Sequence, residues 1–331
     1  MKNMPEKFRR ALAEKEYLAT PGVGTPMHAM VLEKAGFDFV YMSGYATSLT
    51  MFGWPDVGLL TETEMVTNAR NIARAVNVPV IADADTGFGN AINMIRTIED
   101  YEAAGTAGIH IEDQVSPKRC GHLAGKNITP LDEAVGKVKA ALSAKQNKDF
   151  VIIARTDAVA AVGGGIEEAI KRGKAYAQAG ADMVFCEFPS SDVEMPRKFA
   201  EEMRKVYPNL PLFFNYSSSL DWSDSKLTFS DLAAMGYKVI IVSMACLRVS
   251  LQAVWDYAQD MIERKDQTVK DFERKLKGHP TYNFHQFAGF AEIKEKESLF
   301  LPREEIRKKY EESIGFFTDK EKEKEAKDDR R

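Results

Sequence analysis

The chain is 331 residues long, 44% hydrophobic and 28% charged, with a formal net charge of -4. These values describe a soluble globular protein with room for a large core, and the scattered Lys and Arg exclude a stripe for nucleic acid or a membrane surface. No apolar leader opens the sequence, no apolar run approaches the ~20 residues of a membrane span, and three widely spaced cysteines offer no disulfide framework, so a reducing cytoplasmic setting is expected.

In chain order, strand-like runs begin with Tyr17-Leu-Ala-Thr20 and Phe39-Val-Tyr-Met42, followed by Val78-Pro-Val-Ile-Ala-Asp83, Ile109-His-Ile111 and Phe150-Val-Ile-Ile-Ala154. Met183-Val-Phe185, Leu210-Pro-Leu-Phe-Phe-Asn215 and Val239-Ile-Ile-Val242 complete eight. Four of them follow a Gly that ends a periodic segment, at Gly36, Gly105, Gly180 and Gly236. A Gly there is a helix C-cap, and the apolar run beyond it is a buried strand. Amphipathic segments at 62–76, 91–104, 131–144 and 166–178 supply intervening helices. Eight alternating units predict a (β/α)8 TIM barrel over residues 1–247 rather than a doubly wound sheet.

From 248 to 317 the pattern is helical, with helices at 249–264, 266–277 and 302–310 around an irregular aromatic stretch, 279–290. This is more than a barrel needs to close, and its apolar surplus suits a subunit interface or packing back on the same barrel. Residues 318–331 are nearly all charged and read as a disordered tail.

Six strands, the second to the seventh, end in polar residues. These are Tyr41 with Ser43 and Gly44, Asp83 with Asp85, His110 with Glu112, then Arg155, Glu187 and Asn215. Barrel active sites occupy the C-terminal rim, so the distribution reads as one site. Asp85 alone, followed by Thr86-Gly87, would also suit a turn. Crowded carboxylates at Asp83, Asp85 and Glu112 call for a hard cation, and oxygen ligands favour Mg²⁺ or Mn²⁺ over zinc. Arg155 supplies a fork of donors for a developing enolate or carboxylate.

The stretch 108–126 joins the fourth strand to a loop in which Cys120 lies between Arg119 and His122, with Lys118 and Lys126 nearby. A thiol among cations is the setting of a reactive cysteine rather than a buried structural one.

Four blocks, Ala82-Asp-Ala-Asp-Thr-Gly-Phe-Gly89, Ile109-His-Ile-Glu-Asp-Gln114, Lys118-Arg-Cys-Gly-His122 and Ala154-Arg-Thr-Asp-Ala158, stand in the order and spacing of a known family. With them the sequence resembles the isocitrate lyase and phosphoenolpyruvate mutase superfamily from about residue 15 to 247. That resemblance implies a metal-dependent barrel acting next to a carboxylate. Cys120 looks like the C–C lyase and oxaloacetate-hydrolase side. The loop Gly121-His-Leu-Ala-Gly-Lys126 and the run Asn215-Tyr-Ser-Ser-Ser-Leu-Asp-Trp222 are similar to isocitrate lyase. Tyr45, Tyr216, Ser218 and Asp221 depart from its usual Trp, Cys, Pro and Asn, and the chain lacks its large insertion.

The resemblance implies cleavage of isocitrate to glyoxylate and succinate, as in the glyoxylate cycle, with Cys120 as general acid and Tyr41 as base, its pKa lowered by the metal and Arg155. His122 and Glu187 tune the thiol. Ser43, Gly44, Tyr45, His110, Gly121, Asn215, Ser217 and Ser219 surround the substrate, Asp56 supports the metal's waters, and the metal ligands are Asp83, Asp85 and Glu112. It further implies a homotetramer, a dimer of dimers that exchange their last barrel helix. Alternatives are 2-methylisocitrate lyase, dimethylmalate lyase or oxaloacetate hydrolase on the same scaffold, or a metal-binding barrel without catalysis.

Overall fold

The computed structural model of the chain describes residues 3–310, so the expected tail at 318–331 lies outside the described residues. Two compact units divide in sequence between Ala253 and Val254. The first opens with α1 (Met4–Glu14), β1 (Leu18–Val23), α2 (Pro26–Ala35), β2 (Val40–Met42), α3 (Gly44–Phe52), α4 (Glu62–Ala75) and β3 (Val80–Asp83). It continues through α5 (Ala91–Ala104), β4 (Gly108–Glu112), α6 (Leu131–Ala144), β5 (Val151–Thr156), α7 (Ile166–Ala179) and β6 (Met183–Cys186). Then come α8 (Glu194–Arg204), β7 (Leu212–Asn215), α9 (Phe229–Met235) and β8 (Tyr237–Val242). The strands pair in sequence order, and β8 pairs in parallel with β1 to close the barrel predicted from the alternation.

The joints form for local reasons. Gly36, Gly105, Gly180 and Gly236 each end a helix in the left-handed region, where a Cβ would be strained, and each N–H returns to a carbonyl of the last turn. At the other end, Thr61 and Glu64 close a capping box on α4.

Alternation along each strand separates two cores. Ile153, Phe185, Phe213 and Ile241 fill the barrel interior, and Phe8 of α1 meets Phe39 at 5.4 Å below β2, covering the N-terminal mouth. Ile152, Val184, Phe214 and Ile240 face outward onto the helices. Truncating one of these buried phenylalanines to Ala would cost about 3–5 kcal/mol. The upper interior layer is aromatic, with Phe185 and Phe213 centroids 4.8 Å apart, and it forms the floor of the C-terminal mouth.

After β8 the chain continues as α10 (Ala245–Arg264), α11 (Asp266–Leu276), α12 (Phe284–Phe287), α13 (Phe290–Phe300) and α14 (Arg303–Tyr310). The short α12 lies within the stretch expected to be irregular. No helix of the described residues is long and apolar enough to cross a membrane.

Candidate active site

The strand ends converge on a cavity of about 40 Å³ at the C-terminal mouth. Of the residues expected at the site, Tyr41, Ser43, Tyr45, Asp56, Asp83, Cys120, Gly121, His122, Arg155, Glu187, Asn215 and Ser219 line it. A larger hollow, about 810 Å³ between α8 and α9, contains none of them. The loop after β4 narrows this mouth, contributing Lys118, Cys120, Gly121 and His122 to its lining.

On the β3 and β4 side, Gly44 and Asp85 donate backbone N–H groups to the two oxygens of Asp83, at 3.1 and 2.9 Å. Asp85 has φ 47°, a left-handed conformation that Asp tolerates better than most residues. Its carbonyl accepts the Glu112 N–H at 2.9 Å, which makes the two carboxylate residues neighbours. Burial, reinforced by Asp83 and Asp56, pushes the Asp85 carboxyl up to about 6 against the pull of Lys118. Burial likewise raises Asp83 and Glu112. Three buried acids that resist ionisation, one with an unpartnered oxygen, Glu112 Oε1, have the chemistry of a hard-cation site. Among the described residues no three such side chains converge as a preformed metal cage. Instead the Lys118 ammonium bonds Asp56 and lies 2.9 Å from Asp85 Oδ1.

Arg155 is clamped rather than free. Its Nε and Nη2 donate to the two oxygens of Asp157 at 2.8 and 3.1 Å, and its guanidinium lies 5.0 Å above the Phe185 ring. Nε is 3.4 Å from Glu112 and Nη2 3.3 Å from Glu187, so one guanidinium joins the acid-rich side to the far wall. Burial works against the Asp157 charge, but Arg155 and Lys126 outweigh it and hold the carboxyl below its ordinary range. On that far wall, Asn215 Nδ2 donates to both Glu187 oxygens at 3.3 and 3.2 Å.

The loop carrying Cys120 is tied at its base by Val115 N–H to the Asn127 carbonyl at 2.9 Å. Gln114 adds a two-bond staple, donating to the Arg119 carbonyl at 2.8 Å and accepting its N–H at 3.0 Å. Gly121 sits so close to Arg155 that a Cβ would come within 2.5 Å of Nη2 and 2.9 Å of Glu187 Cγ. His122 Nε2 is 3.2 Å from Glu187 Oε1. Burial opposes its charge, yet Glu187 and the hydrogen bond with Cys120 prevail and push its pKa up to about 10.

Five expected residues lie outside the cavity lining. Gly44, Asp85 and Glu112 stand just behind it in the contacts above. His110 is wholly buried in the floor, stacked on Tyr41 at 5.7 Å and edge-on to Phe185 at 5.6 Å; burial and Arg155 lower its pKa to about 3. Ser217 is also buried, its hydroxyl accepting the Ser219 N–H at 3.1 Å. The expectation of a lowered Tyr41 pKa is corrected: burial and the Asp83 charge raise it, and its oxygen is 2.8 Å from His110 Nε2.

Sequence reasoning missed Ser243 and Met244, which join the wall from the end of β8. Ser243 follows that strand as the polar residues follow the others, so extending the rim rule to the eighth strand would have found it. It also missed Asp113, which accepts the Asp157 N–H at 2.9 Å, Tyr176 at 2.7 Å and Arg172 at 3.1 Å, anchoring the residue that clamps Arg155.

Comparison with known proteins agrees with this geometry. A family model described as phosphoenolpyruvate phosphomutase matches residues 8–262. The chain is 41% identical over 312 residues to an isocitrate lyase of Haloferax volcanii, covering 94% of this chain and 90% of that one. It is 44% identical over 254 residues to a 2,3-dimethylmalate lyase of Eubacterium barkeri, covering 77% and 84%. A solved phosphonopyruvate hydrolase complex with oxalate and Mg²⁺ superposes with a TM-score of 0.77 at 29% identity, covering 91% of this chain and all of that one (100%). A closed barrel with its acids, arginine and thiol at one mouth, and relatives named as lyases along nearly its whole length, lead to one conclusion: the chain belongs to the phosphoenolpyruvate mutase and isocitrate lyase superfamily and is an enzyme of its carbon–carbon lyases.

Proposed function

We propose that the protein is a Mg²⁺- or Mn²⁺-dependent cytoplasmic lyase that cleaves isocitrate to glyoxylate and succinate. The observation that carries this reading is a single cavity walled by the Cys120 thiol, the Arg155 guanidinium and the hydrogen-bonding side chains of Asn215 and Ser219. A substrate with several carboxylates needs donors on more than one wall, and a carbanion product needs an acid above it. Asp83, Asp85 and Glu112, with Asp56 behind them, would hold the ion, which when bound steadies the anionic oxygens of a hydroxy or keto acid.

In this reading Ser43, Gly44 and Arg155 surround the future glyoxylate, and Asn215, Ser217 and Ser219 hold the succinate carboxylates. The hydroxyl proton leaves toward an ionised carboxylate of the wall, Glu187, while Tyr41, kept a neutral phenol by its raised pKa and held 2.8 Å from His110 Nε2, orients that hydroxyl. The C–C bond breaks, its electron pair passes to the succinate carbon, and the Cys120 thiol protonates that carbon from the closed loop. The proton removed first is returned to the thiolate as product leaves, so the cycle consumes none.

A panel of isocitrate, 2-methylisocitrate, 2,3-dimethylmalate and oxaloacetate, assayed with and without Mg²⁺, tests the reading. Glyoxylate release from isocitrate is expected only with metal, and Cys120→Ser lowers turnover at least a hundredfold while substrate still binds. Preference for another acid, or near-full activity of the serine variant, refutes it. The second reading is dimethylmalate cleavage, supported by the 44% identical relative and by the apolar Met244 in the wall, which suits a methyl substituent. In either case the apolar side chains exposed on α10 support association with a second copy of the chain, with helix exchange as the mode.

A further inference from the structure

We infer that Lys126 is a positioning residue that holds the Cys120 loop closed against the Arg155 clamp. The inference rests on the loop's catalytic role in the reading above, but its contacts stand by themselves. Lys126 is 1% exposed and Asp157 0%, so solvent can satisfy neither charge. The Lys126 ammonium donates to the carbonyl of Gly121, the residue after Cys120, and to Asp157 Oδ1 at 2.9 Å. That same oxygen accepts from Arg155 Nη2 at 3.1 Å. One carboxylate oxygen therefore carries both the substrate-facing arginine and the strut of the thiol loop.

The strut is anchored from behind. Val162 N–H donates to the Lys126 carbonyl at 2.9 Å, and Asp157 N–H donates to Asp113 at 2.9 Å. The far end of the loop is thus bonded to the segment that follows β5, while residues 123–125, just before Lys126, are exposed. Gly121 lies directly on Arg155 and Glu187, leaving no room for a side chain. In the reading above the loop opens for the acid and returns Cys120 to the carbanion, and such a loop needs a fixed donor to close on. Lys126 supplies it from the chain's own backbone contacts, and a shorter or neutral side chain would leave the Gly121 carbonyl without that partner.

The test compares the parent with Lys126→Met and Lys126→Arg by two readouts. The first is the rate of Cys120 alkylation by iodoacetamide, read by peptide mass spectrometry. The second is kcat and KM on whichever panel acid is turned over. Lys126→Met is expected to speed Cys120 alkylation at least tenfold and to lower kcat about a hundredfold with KM changed less than fivefold. Lys126→Arg, which keeps a charged donor, recovers at least part of both. If Lys126→Met does not fold, Lys126→Gln, which leaves Asp157 hydrogen-bonded, is judged by the same thresholds. Alkylation and kcat both within threefold of the parent would overturn the inference. The alkylation arm needs no substrate, so a panel without turnover defeats the proposed function and leaves the strut to be judged separately.

Discussion

His122, on the loop that carries Cys120, shows how a single side chain ties stability to pH. In the unfolded chain its pKa is 6.5, and in the folded one Glu187 and Cys120 hold it at about 10 despite burial. A raised folded pKa contributes stability that is fully present below 6.5 and is lost as pH rises through about 10. Glu187 runs the other way: its folded pKa is lowered, so its share is present above 4.5 and is lost as pH falls through the folded value. The expected outcome is a gap in thermal midpoint between the parent and His122→Gln that is widest between those limits and closes at alkaline pH. Differential scanning calorimetry across that range measures it, and a gap that stays constant through pH 10 refutes the pairing. The positions of single residues were legible in the sequence where the signal is local, as for Cys120, which lines the mouth together with His122. Tyr41 was misjudged because its pKa depends on burial and on Asp83 across strands. Lys126 and Asp157 are 31 residues apart, and no sequence pattern signals that contact.

At the scale of elements, strands deliver the chemistry and loops decide its geometry. Register sets Glu112 beside Arg155 on β4 and β5, and Asp83 beside His110 on β3 and β4. The two-residue period of a strand made these positions readable, as the helix period and terminal glycines made the helices readable. Loops obey no such period. The left-handed turn at Asp85 and the staple from Gln114 emerge only once both sides of the rim are in place. The crowded acids at the ends of β3 and β4 lead to a prediction about metal. An ion bound only by the folded state stabilises it, by about 2.7 kcal/mol at a hundred times its dissociation constant. For a domain of this kind that raises the thermal midpoint by roughly 5–10 °C. Mg²⁺ is expected to raise the midpoint of the parent, and Glu112→Gln and Asp85→Ala are expected to abolish the rise. An equal rise in all three would place the ion elsewhere.

At the scale of the whole molecule, the two units differ in what they bury. The barrel unit has complete inner and outer cores. In α10, a helix of 20 residues, Leu247 alone is buried, and no residue of α12, α13 or α14 is. Yet these helices carry Trp255 at 67% exposure, Ile262 at 71% and Phe300 at 82%. Apolar surface of that extent is costly in water, at about 25 cal/mol for each Å² left unburied. A closed symmetric assembly removes it by pairing the same face of two copies. Sedimentation of the parent is expected to show an oligomer at micromolar concentration, since an obligate interface of apolar side chains dissociates only at far lower concentration. Trp255→Glu and Ile262→Glu, each placing a charge where the partner's apolar face would lie, are expected to shift the protein toward smaller species. Circular dichroism would show the barrel's secondary structure retained, because neither side chain is buried in its core. A parent that sediments as a monomer, or variants whose association is unchanged, would mean that these helices meet something other than a second copy of the chain.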